Sequence, residues 1–185
     1  MKKIILASQS PRRKELLFLA EINFDVVVAN TDESYPEGLT FEETAIHIAT
    51  NKALAVAEKV DKSQTILAAD TIVICKDKII GKPVDKDDAI AILMALSGNT
   101  HQVITGICIL KEGKINSFAD VTTVHFHKLS LVQIIYYLDK YKPYDKAGAY
   151  AIQEWIGAVG IKKIEGDFYN VMGLPISRVV EALAP

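Results

Sequence analysis

The spacing of hydrophobic and polar residues predicts strands that alternate with helices. Short apolar runs bounded by turn residues indicate buried strands, whereas apolar residues three or four positions apart indicate helices with one buried face. The predicted strands are 3–7, 24–28, 65–75, 79–80, 103–110, a further strand that continues toward residue 128, and 157–164. The predicted helices are one that begins at Pro11, then 40–60, 85–96, 130–141 and 176–183. The first three elements suggest a βαβ unit with the helix as its crossover.

The turn after the first strand has the features of an anion site. Ser10 is a favourable N-cap, and Pro11 suits the first helical position. Arg12, Arg13 and Lys14 follow in the first turn, where each positive charge opposes the helix dipole by about 0.3–1 kcal/mol. Because a strand, a polar turn and a helix N-terminus commonly bind anions, we favour phosphate or carboxylate binding over a solvated basic turn.

The clearest helix covers 40–60. Thr40 and Glu43 match a capping box, in which each residue's side chain accepts from the other's backbone N–H. A buried stripe with helical spacing follows; it comprises Ala45, Ile48, Ala49, Ala53, Val56, Ala57 and Val60. Lys52 falls in the middle of this stripe, so its ammonium must either reach the edge of the stripe or meet an anion.

Asp70 is the strongest anomaly in the chain. It interrupts the apolar run 65–75, which is typical of a central strand covered on both faces. A carboxylate in such a run is costly unless it is paired, protonated, bound to a metal or placed at a strand break. A structural aspartate that accepts from nearby backbone N–H groups is the alternative to a functional one.

Further polar residues add candidate chemistry. Glu33 lies in the polar loop 30–39, and Lys82 follows a predicted hairpin. Gln153 ends a stretch rich in small residues, and its amide, which is both donor and acceptor, can read the edge of a planar base. A solvated glutamine beside closely packed backbone is the alternative. His125 and His127 share a strand face, but no third metal ligand is near, so structural histidines are favoured.

Composition and charge narrow the class of protein. The chain has 185 residues, of which 50% are hydrophobic, and a formal net charge of −2. This length suits a single domain over 1–185, and the charge gives no support for a nucleic-acid or membrane-surface protein. Met1 and Lys2 lead only into a short apolar run, so we expect no signal peptide. No stretch of the sequence approaches the roughly 20 apolar residues of a membrane span. Cys75 and Cys108 lie in apolar runs and predict buried thiols in a reducing cytoplasm.

Together these residues suit a polyphosphate and a divalent metal. The cations and donors that suit phosphate are Ser8, Ser10, Arg12, Arg13, Lys52 and Lys82. Glu33 and Asp70 suit a metal and an activated water, and their hard oxygen atoms favour magnesium or manganese. A metal with a general base acting on a phosphoanhydride is therefore the favoured chemistry. The P-loop and dinucleotide-binding glycine motifs are missing from the sequence, which excludes those two classes.

Four motifs lie in order along essentially the whole chain. They are Leu6-Ala7-Ser8-Gln9-Ser10-Pro11-Arg12-Arg13, Ala68-Ala69-Asp70-Thr71, Gly81-Lys82-Pro83 and Ala147-Gly148-Ala149-Tyr150-Ala151-Ile152-Gln153. Together they closely resemble the Maf family of nucleotide pyrophosphatases, although Gln9 stands where many members carry a small residue. The resemblance implies an α/β fold akin to the inosine-triphosphate pyrophosphatases. That fold has an elongated mixed sheet flanked by helices and a cleft between two lobes.

The resemblance also implies a reaction and roles for its residues. It implies metal-dependent hydrolysis of a nucleoside triphosphate to the monophosphate and pyrophosphate, and it suggests a homodimer. Asp70 matches the proton acceptor, and Glu33 matches the acidic residue near the metal. The positions that match phosphate-binding residues are Ser8, Arg12, Arg13, Lys52 and Lys82. Arg12, Thr71 and Gln153 match the set that marks the branch preferring dTTP and UTP.

Two other functions stay open at this point. One is a broader house-cleaning pyrophosphatase that acts on modified nucleotides. The other is a nucleotide-binding regulator of division, because members of the family have been linked to arrest of septum formation. Glu33 and Asp70 argue against the regulator, since a protein that only binds nucleotide does not need a water-activating carboxylate.

Overall fold

The computed structural model describes residues 3–184, so Met1, Lys2 and Pro185 lie outside the described residues. The expectation that no signal peptide is present was drawn from Met1 and Lys2, so it too concerns residues outside this range. The strands are β1 (Ile4–Leu6), β2 (Phe24–Val26), β3 (Ile66–Cys75), β4 (Lys78–Ile80), β5 (Thr100–Lys111), β6 (Lys114–Phe126) and β7 (Ile161–Glu165). The helices are α1 (Pro11–Leu19), α2 (Phe41–Ala57), α3 (Lys86–Leu96), α4 (Leu131–Tyr141), α5 (Trp155–Gly160), α6 (Phe168–Met172) and α7 (Ile176–Leu183), with a 3₁₀ turn at Ala147–Ala149. Within the described residues, no helix combines the length and the hydropathy needed to cross a bilayer.

The strands that the structure describes form one mixed sheet of seven strands. Their order is β2-β1-β3-β5-β6-β7, and β4 pairs with β3. β1 runs parallel to β2 and to β3, whereas the β3–β4 and β6–β7 pairs are antiparallel. β1, α1 and β2 therefore form the predicted βαβ unit, because a helix can return the chain to the start of a parallel neighbour. The mixed sheet with its helices confirms the predicted α/β class.

The chain divides into two compact units. The first contains residues up to Thr71, Ile104–Asp120 and residues from Gly173 onward. The second contains Ile72–Val103 and Val121–Met172. The organisation of 1–185 as a single domain with two lobes stays a prediction.

The core of the first unit contains residues of α2, β1, β3 and β5. Its buried members are Ile5, Ala7, Ala49, Ala53, Val56, Ile66, Ala68, Cys108 and Leu110. α2 begins with the predicted capping box: the Thr40 N–H donates to Glu43 Oε2 at 2.8 Å, and the Glu43 N–H donates to Thr40 Oγ1 at 3.2 Å. Cys75 and Cys108 are both free and buried, as predicted, and burial raises the pKa of the Cys108 thiol.

The second unit begins with a hairpin that the sequence predicted. Lys76 and Asp77 connect β3 to β4, and both have positive φ, of 51° and 58°. Positive φ at both central residues is the conformation that matches the twist of a two-residue hairpin. α4 also begins as predicted, with a capping box between Ser130 and Gln133.

Two predicted elements near the C-terminus were wrong. The predicted strand 157–164 is a helix, α5, followed by a shorter strand that starts only at Ile161. A Cβ at Gly157 would lie 1.6 Å from the Ile152 carbonyl oxygen, so this glycine serves a tight helical turn rather than a strand. The predicted loop 168–175 contains α6, whose second N–H, from Tyr169, donates to Asp167 Oδ1 at 2.8 Å. Asp167 is the helix-start signal that the sequence reading overlooked.

Candidate active site

Arg13 is the centre of a buried hydrogen-bond network in the first unit. Ser10 caps α1 as predicted, since its Oγ accepts the Arg13 N–H at 3.5 Å. The Arg13 guanidinium donates through Nε to the Gly173 carbonyl oxygen at 2.8 Å. It also donates through Nη1 to Ser8 Oγ at 3.1 Å and through Nη2 to Thr71 Oγ1 at 3.0 Å. These three acceptors are neutral, so the contacts orient the guanidinium without neutralising its charge.

Burial gives that charge an unusual setting. Arg13 is 9% exposed, and desolvation lowers the pKa of its guanidinium, while the nearby charge of Asp70 opposes the change. Arginine remains protonated at neutral pH even so, because its ordinary pKa is far above 7. A guanidinium already fixed by three hydrogen bonds loses little further freedom when it meets a ligand. Arg13 is therefore a pre-oriented positive charge.

Lys52 is the centre of a second, charged cluster in the same unit. Its Nζ lies 2.6 Å from Asp70 Oδ1 and 2.7 Å from Glu33 Oε1. The side chains of Lys52 and Asp70 are 19% and 14% exposed, whereas Glu33 is 58% exposed. One contact thus accounts for both anomalies of the sequence: the lysine on the apolar stripe meets an anion, and the carboxylate within the apolar strand is paired.

The charged cluster fits a divalent metal that would be shared with a phosphate. Two carboxylates face one ammonium, so the cluster has a formal charge of −1. Magnesium is usually bound through one or two carboxylates together with phosphate oxygens, and Glu33 and Asp70 supply those carboxylates. Among residues 3–184, no group of three or more His, Cys, Asp or Glu side chains could hold a metal. These two carboxylates would therefore supply part of the coordination shell, and water molecules and phosphate oxygens would supply the rest.

Thr71 connects the buried network to a residue that the sequence reading missed. Thr71 Oγ1 accepts from Arg13 and shares a hydrogen bond with Thr105 Oγ1 at 3.0 Å. Thr105 is fully buried in β5, and a hydroxyl within an apolar run was the signal that could have identified it. Gly173 was also missed, because its role depends on its carbonyl oxygen and on a φ of 112°, which a side chain disfavours.

The structure groups most of the predicted site residues within the first unit. The two contacting groups are Ser8 with Arg13 and Thr71, and Glu33 with Lys52 and Asp70. Arg12 is half-buried in α1, directly before Arg13. The first turn of α1 thus presents two adjacent cations.

Lys82 and Gln153 belong to the second unit. Lys82 is exposed in the loop after β4, and Gln153 is exposed between the 3₁₀ turn and α5. The segments that carry them touch, because the Gly148 N–H donates to the Gly81 carbonyl oxygen at 3.1 Å. Gln153 also lines an open surface cavity of about 490 Å³, whose wall includes Phe168. An exposed amide and an aromatic ring on the wall of one cavity suit contact with a planar ligand.

His125 is a structural histidine, as favoured from the sequence. Its Nδ1 lies 2.9 Å from Thr100 Oγ1, and its Nε2 lies 3.0 Å from Glu165 Oε1. Both ring nitrogens therefore have protein partners on neighbouring strands. His127 lies just beyond the end of β6.

Comparison with known proteins identifies the family. The model of the family described as "Maf-like protein" matches residues 3–185. The chain belongs to the Maf family. Similar proteins from Parabacteroides distasonis and Cytophaga hutchinsonii, each named dTTP/UTP pyrophosphatase, are 48% and 50% identical over 182 and 180 residues. Those matches cover 98% and 97% of this chain and 94% and 82% of the relatives.

Two solved structures resemble this Maf-family chain in part. The Staphylococcus aureus Ham1 protein is 16% identical, with a TM-score of 0.43 over 68% of this chain and 72% of that chain. A nucleoside-triphosphatase, also named dITP/XTP pyrophosphatase, from Mycobacterium abscessus is 14% identical, with a TM-score of 0.40 over 68% and 73%.

The four Maf-family motifs contact one another in pairs. The first motif supplies Ser8 and Arg13, and the second supplies Thr71, which accepts from Arg13. The third and fourth motifs meet through the backbone hydrogen bond between Gly148 and Gly81. Motifs that are far apart in the chain are therefore adjacent in space within each unit.

Proposed function

We propose that this Maf-family protein hydrolyses dTTP and UTP to the nucleoside monophosphate and pyrophosphate. One observation carries the proposal: relatives with the name dTTP/UTP pyrophosphatase match 97–98% of the chain at 48–50% identity. The first unit supports the chemistry, since it contains an oriented guanidinium with neutral partners and a pair of carboxylates around an ammonium. These are the charges that a triphosphate and its metal require.

The triphosphate would be bound by Ser8, Arg12, Arg13, Lys52 and Lys82. Arg13 supports this role because its orientation is set before any ligand arrives. The two carboxylates use two of the three N–H donors of the Lys52 ammonium, so a phosphate oxygen would take the third. These cations would offset the negative charge that develops on the leaving pyrophosphate.

Asp70 is the proton acceptor in this proposal. Water adds to a phosphorus atom of the anhydride between the α and β phosphates, the bond from that phosphorus to the bridging oxygen breaks, and one water proton passes to Asp70. The ion pair with Lys52 engages Oδ1, so we assign the transferred proton to Oδ2. The same ion pair restrains the carboxyl group, which limits the orientations that the acceptor can take.

Glu33 and Asp70 would hold the magnesium or manganese ion together with phosphate oxygens. When bound, the metal would polarise the anhydride and offset phosphate charge. Lys52 keeps the two carboxylates together, because its ammonium offsets the repulsion between them.

Base preference is assigned to Arg12, Thr71 and Gln153. Thymine and uracil present the same imide edge, which alternates acceptor, donor and acceptor. The amide of Gln153 offers one donor and one acceptor, so it can pair with that edge in both nucleotides. Gln153→Ala should therefore change the preference for dTTP over GTP, and an unchanged preference would remove Gln153 from the base site.

We also propose that the protein acts in the cytoplasm as a homodimer. The two free, buried thiols support a reducing compartment. The dimer is implied by the family resemblance, and light scattering on the purified protein tests it, since a monomer at assay concentration would contradict it.

The decisive experiment measures pyrophosphate release from purified protein. The substrates are dTTP, UTP, pseudo-UTP, 5-methyl-UTP, CTP and 7-methyl-GTP, each with magnesium, with manganese and with EDTA. We expect pyrophosphate from dTTP and UTP with metal and none with EDTA. Release of single phosphates, or no turnover under any of these conditions, would contradict the proposal, and the modified nucleotides test for a broader house-cleaning range.

A further inference from the structure

Gln153 lies in a segment that lacks regular secondary structure. The segment 150–154 runs between the 3₁₀ turn and α5, and Gln153 is exposed, whereas Ala151 and Ile152 before it are buried. Backbone groups buried outside helices and strands need other hydrogen-bond partners. The residues that provide those partners therefore determine where the backbone that carries Gln153 lies.

The Tyr137 hydroxyl binds the segment on both sides of Gln153. It accepts the Ala151 N–H at 3.1 Å and donates to the Glu154 carboxylate. These contacts lie two residues before Gln153 and one residue after it. The Tyr137 hydroxyl oxygen thus contacts both the backbone of Ala151, before the glutamine, and the side chain of Glu154, after it.

Tyr137 is well suited to hold its hydroxyl in one place. It is fully buried in α4, where its ring stacks on Tyr141 with ring centroids 5.1 Å apart. The capping box at Ser130 fixes the start of the same helix. A hydroxyl on a packed ring of a capped helix has little freedom, so it transfers the rigidity of α4 to the segment.

A second contact anchors the start of the segment. The Tyr150 hydroxyl lies 2.7 Å from His101 Nε2, and both side chains are buried. The rings of His101, Phe126 and Tyr150 pack with centroids 5.2–5.5 Å apart. The segment is therefore held at residues 150, 151 and 154, while the side chain of Gln153 faces solvent.

We propose that Tyr137 is a positioning residue for Gln153 and thereby a determinant of base preference. The inference rests on the proposed function, in which Gln153 reads the base. Tyr137 itself touches no substrate in this scheme; its hydroxyl fixes the segment so that the Gln153 amide meets the base edge in one orientation.

Tyr137→Phe tests the proposal, with Tyr136→Phe as its matched control. Tyr136 is the preceding residue of the same helix, is 44% exposed, and its hydroxyl accepts from Lys140 at 3.1 Å. Each variant loses one hydroxyl and keeps its ring. We expect Tyr137→Phe to speed deuterium exchange of the backbone amides in the segment 150–154. We also expect it to change the ratio of kcat/KM for dTTP to kcat/KM for CTP by about fivefold, as for the loss of one hydrogen bond. The control variant should change neither quantity.

Glu154 provides a rescue experiment. Glu154→Gln keeps an oxygen that can accept from the Tyr137 hydroxyl and should retain the wild-type ratio, whereas Glu154→Ala should change it as Tyr137→Phe does. The proposal is overturned if exchange in the segment stays at the wild-type rate in Tyr137→Phe, or if that variant loses kcat/KM equally on every nucleotide. Wild-type protein that releases no pyrophosphate would overturn the proposed function instead, and the exchange measurement would still decide whether Tyr137 holds the segment.

Discussion

The candidate site of the first unit and the Gln153 segment of the second unit are built from different interactions. In the first, Arg13 and Lys52 are cations held by short contacts, and the Lys52 cluster is a three-residue ion network. In the second, neutral groups predominate: tyrosine hydroxyls, a histidine ring and a backbone N–H. Changes to the charged region should therefore alter turnover, and changes to the neutral region should alter substrate preference or stability.

The two cations of the first unit differ in the same way. Arg13 contacts three neutral acceptors and feels the charge of Asp70 without contacting it, whereas Lys52 contacts two carboxylates directly and leaves a net negative charge. A guanidinium whose hydrogen-bond acceptors are all neutral attracts phosphate, and a net negative cluster attracts a metal. The arrangement separates the two charges that a metal–triphosphate complex carries.

The largest effect should follow loss of the Asp70 carboxylate. Asp70→Asn keeps an oxygen for Lys52 but removes the proton acceptor, so kcat for dTTP should fall about 10³-fold. Steady-state pyrophosphate release measures it, with circular dichroism to verify the fold. Asp61→Asn, which changes an exposed turn carboxylate bonded to Ser63, is the control. Near-normal turnover in Asp70→Asn would remove that residue from the chemistry.

Loss of the ammonium at the centre of the charged cluster should have a smaller effect on turnover. Lys52→Met changes the formal charge of the cluster from −1 to −2. We expect kcat to fall about 10²-fold. Manganese should bind more tightly, because the metal no longer competes with the ammonium for the two carboxylates. Electron paramagnetic resonance of Mn²⁺ measures the affinity for the ion without substrate. Lys59→Met, at a lysine that donates to the Val28 carbonyl, is the control. Wild-type manganese affinity would contradict the assigned metal site.

The buried neutral contacts of Arg13 should matter less still. Thr71→Val removes the hydroxyl that accepts from Nη2, so kcat/KM for dTTP should fall about tenfold. Thr71→Ser keeps the hydroxyl and should retain most of the activity. Equal losses in both variants would mean that the methyl group, rather than the hydrogen bond to Arg13, is what matters at this position.

In the neutral region, a change of pH should alter the free energy of unfolding rather than the rate of turnover. Burial lowers the pKa of His101 from 6.5 to about 4. The unfolded chain therefore binds a proton between pH 6.5 and 4 that the folded chain does not, so the free energy of unfolding should fall as pH falls through this window, by at most about 3 kcal/mol. Urea unfolding at pH 7, 6 and 5 measures the slope. In His101→Gln the slope should be smaller, and an unchanged slope would assign it to other groups.

Local sequence signals predicted much of the fold. The capping boxes at Thr40 and Ser130 were readable because their partners lie three positions apart. The bounds of α7 and the βαβ unit were readable for the same reason, since hydrophobic spacing is a local property. The strand predicted at 157–164 was wrong in its first half, 157–160, because Gly157 packs against the Ile152 carbonyl in a helical turn, which hydrophobic spacing does not report.

The sequence by itself determined which residues were anomalous, and the tertiary structure decided what each of them contacts. Lys52 on an apolar stripe and Asp70 in an apolar strand were each costly alone, so their types predicted a charged partner. That they are partners of each other, with Glu33 as the third member, required the packing of α2 on β3. Arg13 meets the Gly173 carbonyl across 160 positions of sequence, and the Tyr137 hydroxyl meets the Ala151 N–H. Backbone groups carry no signal in the amino-acid types, so only the folded chain could assign them.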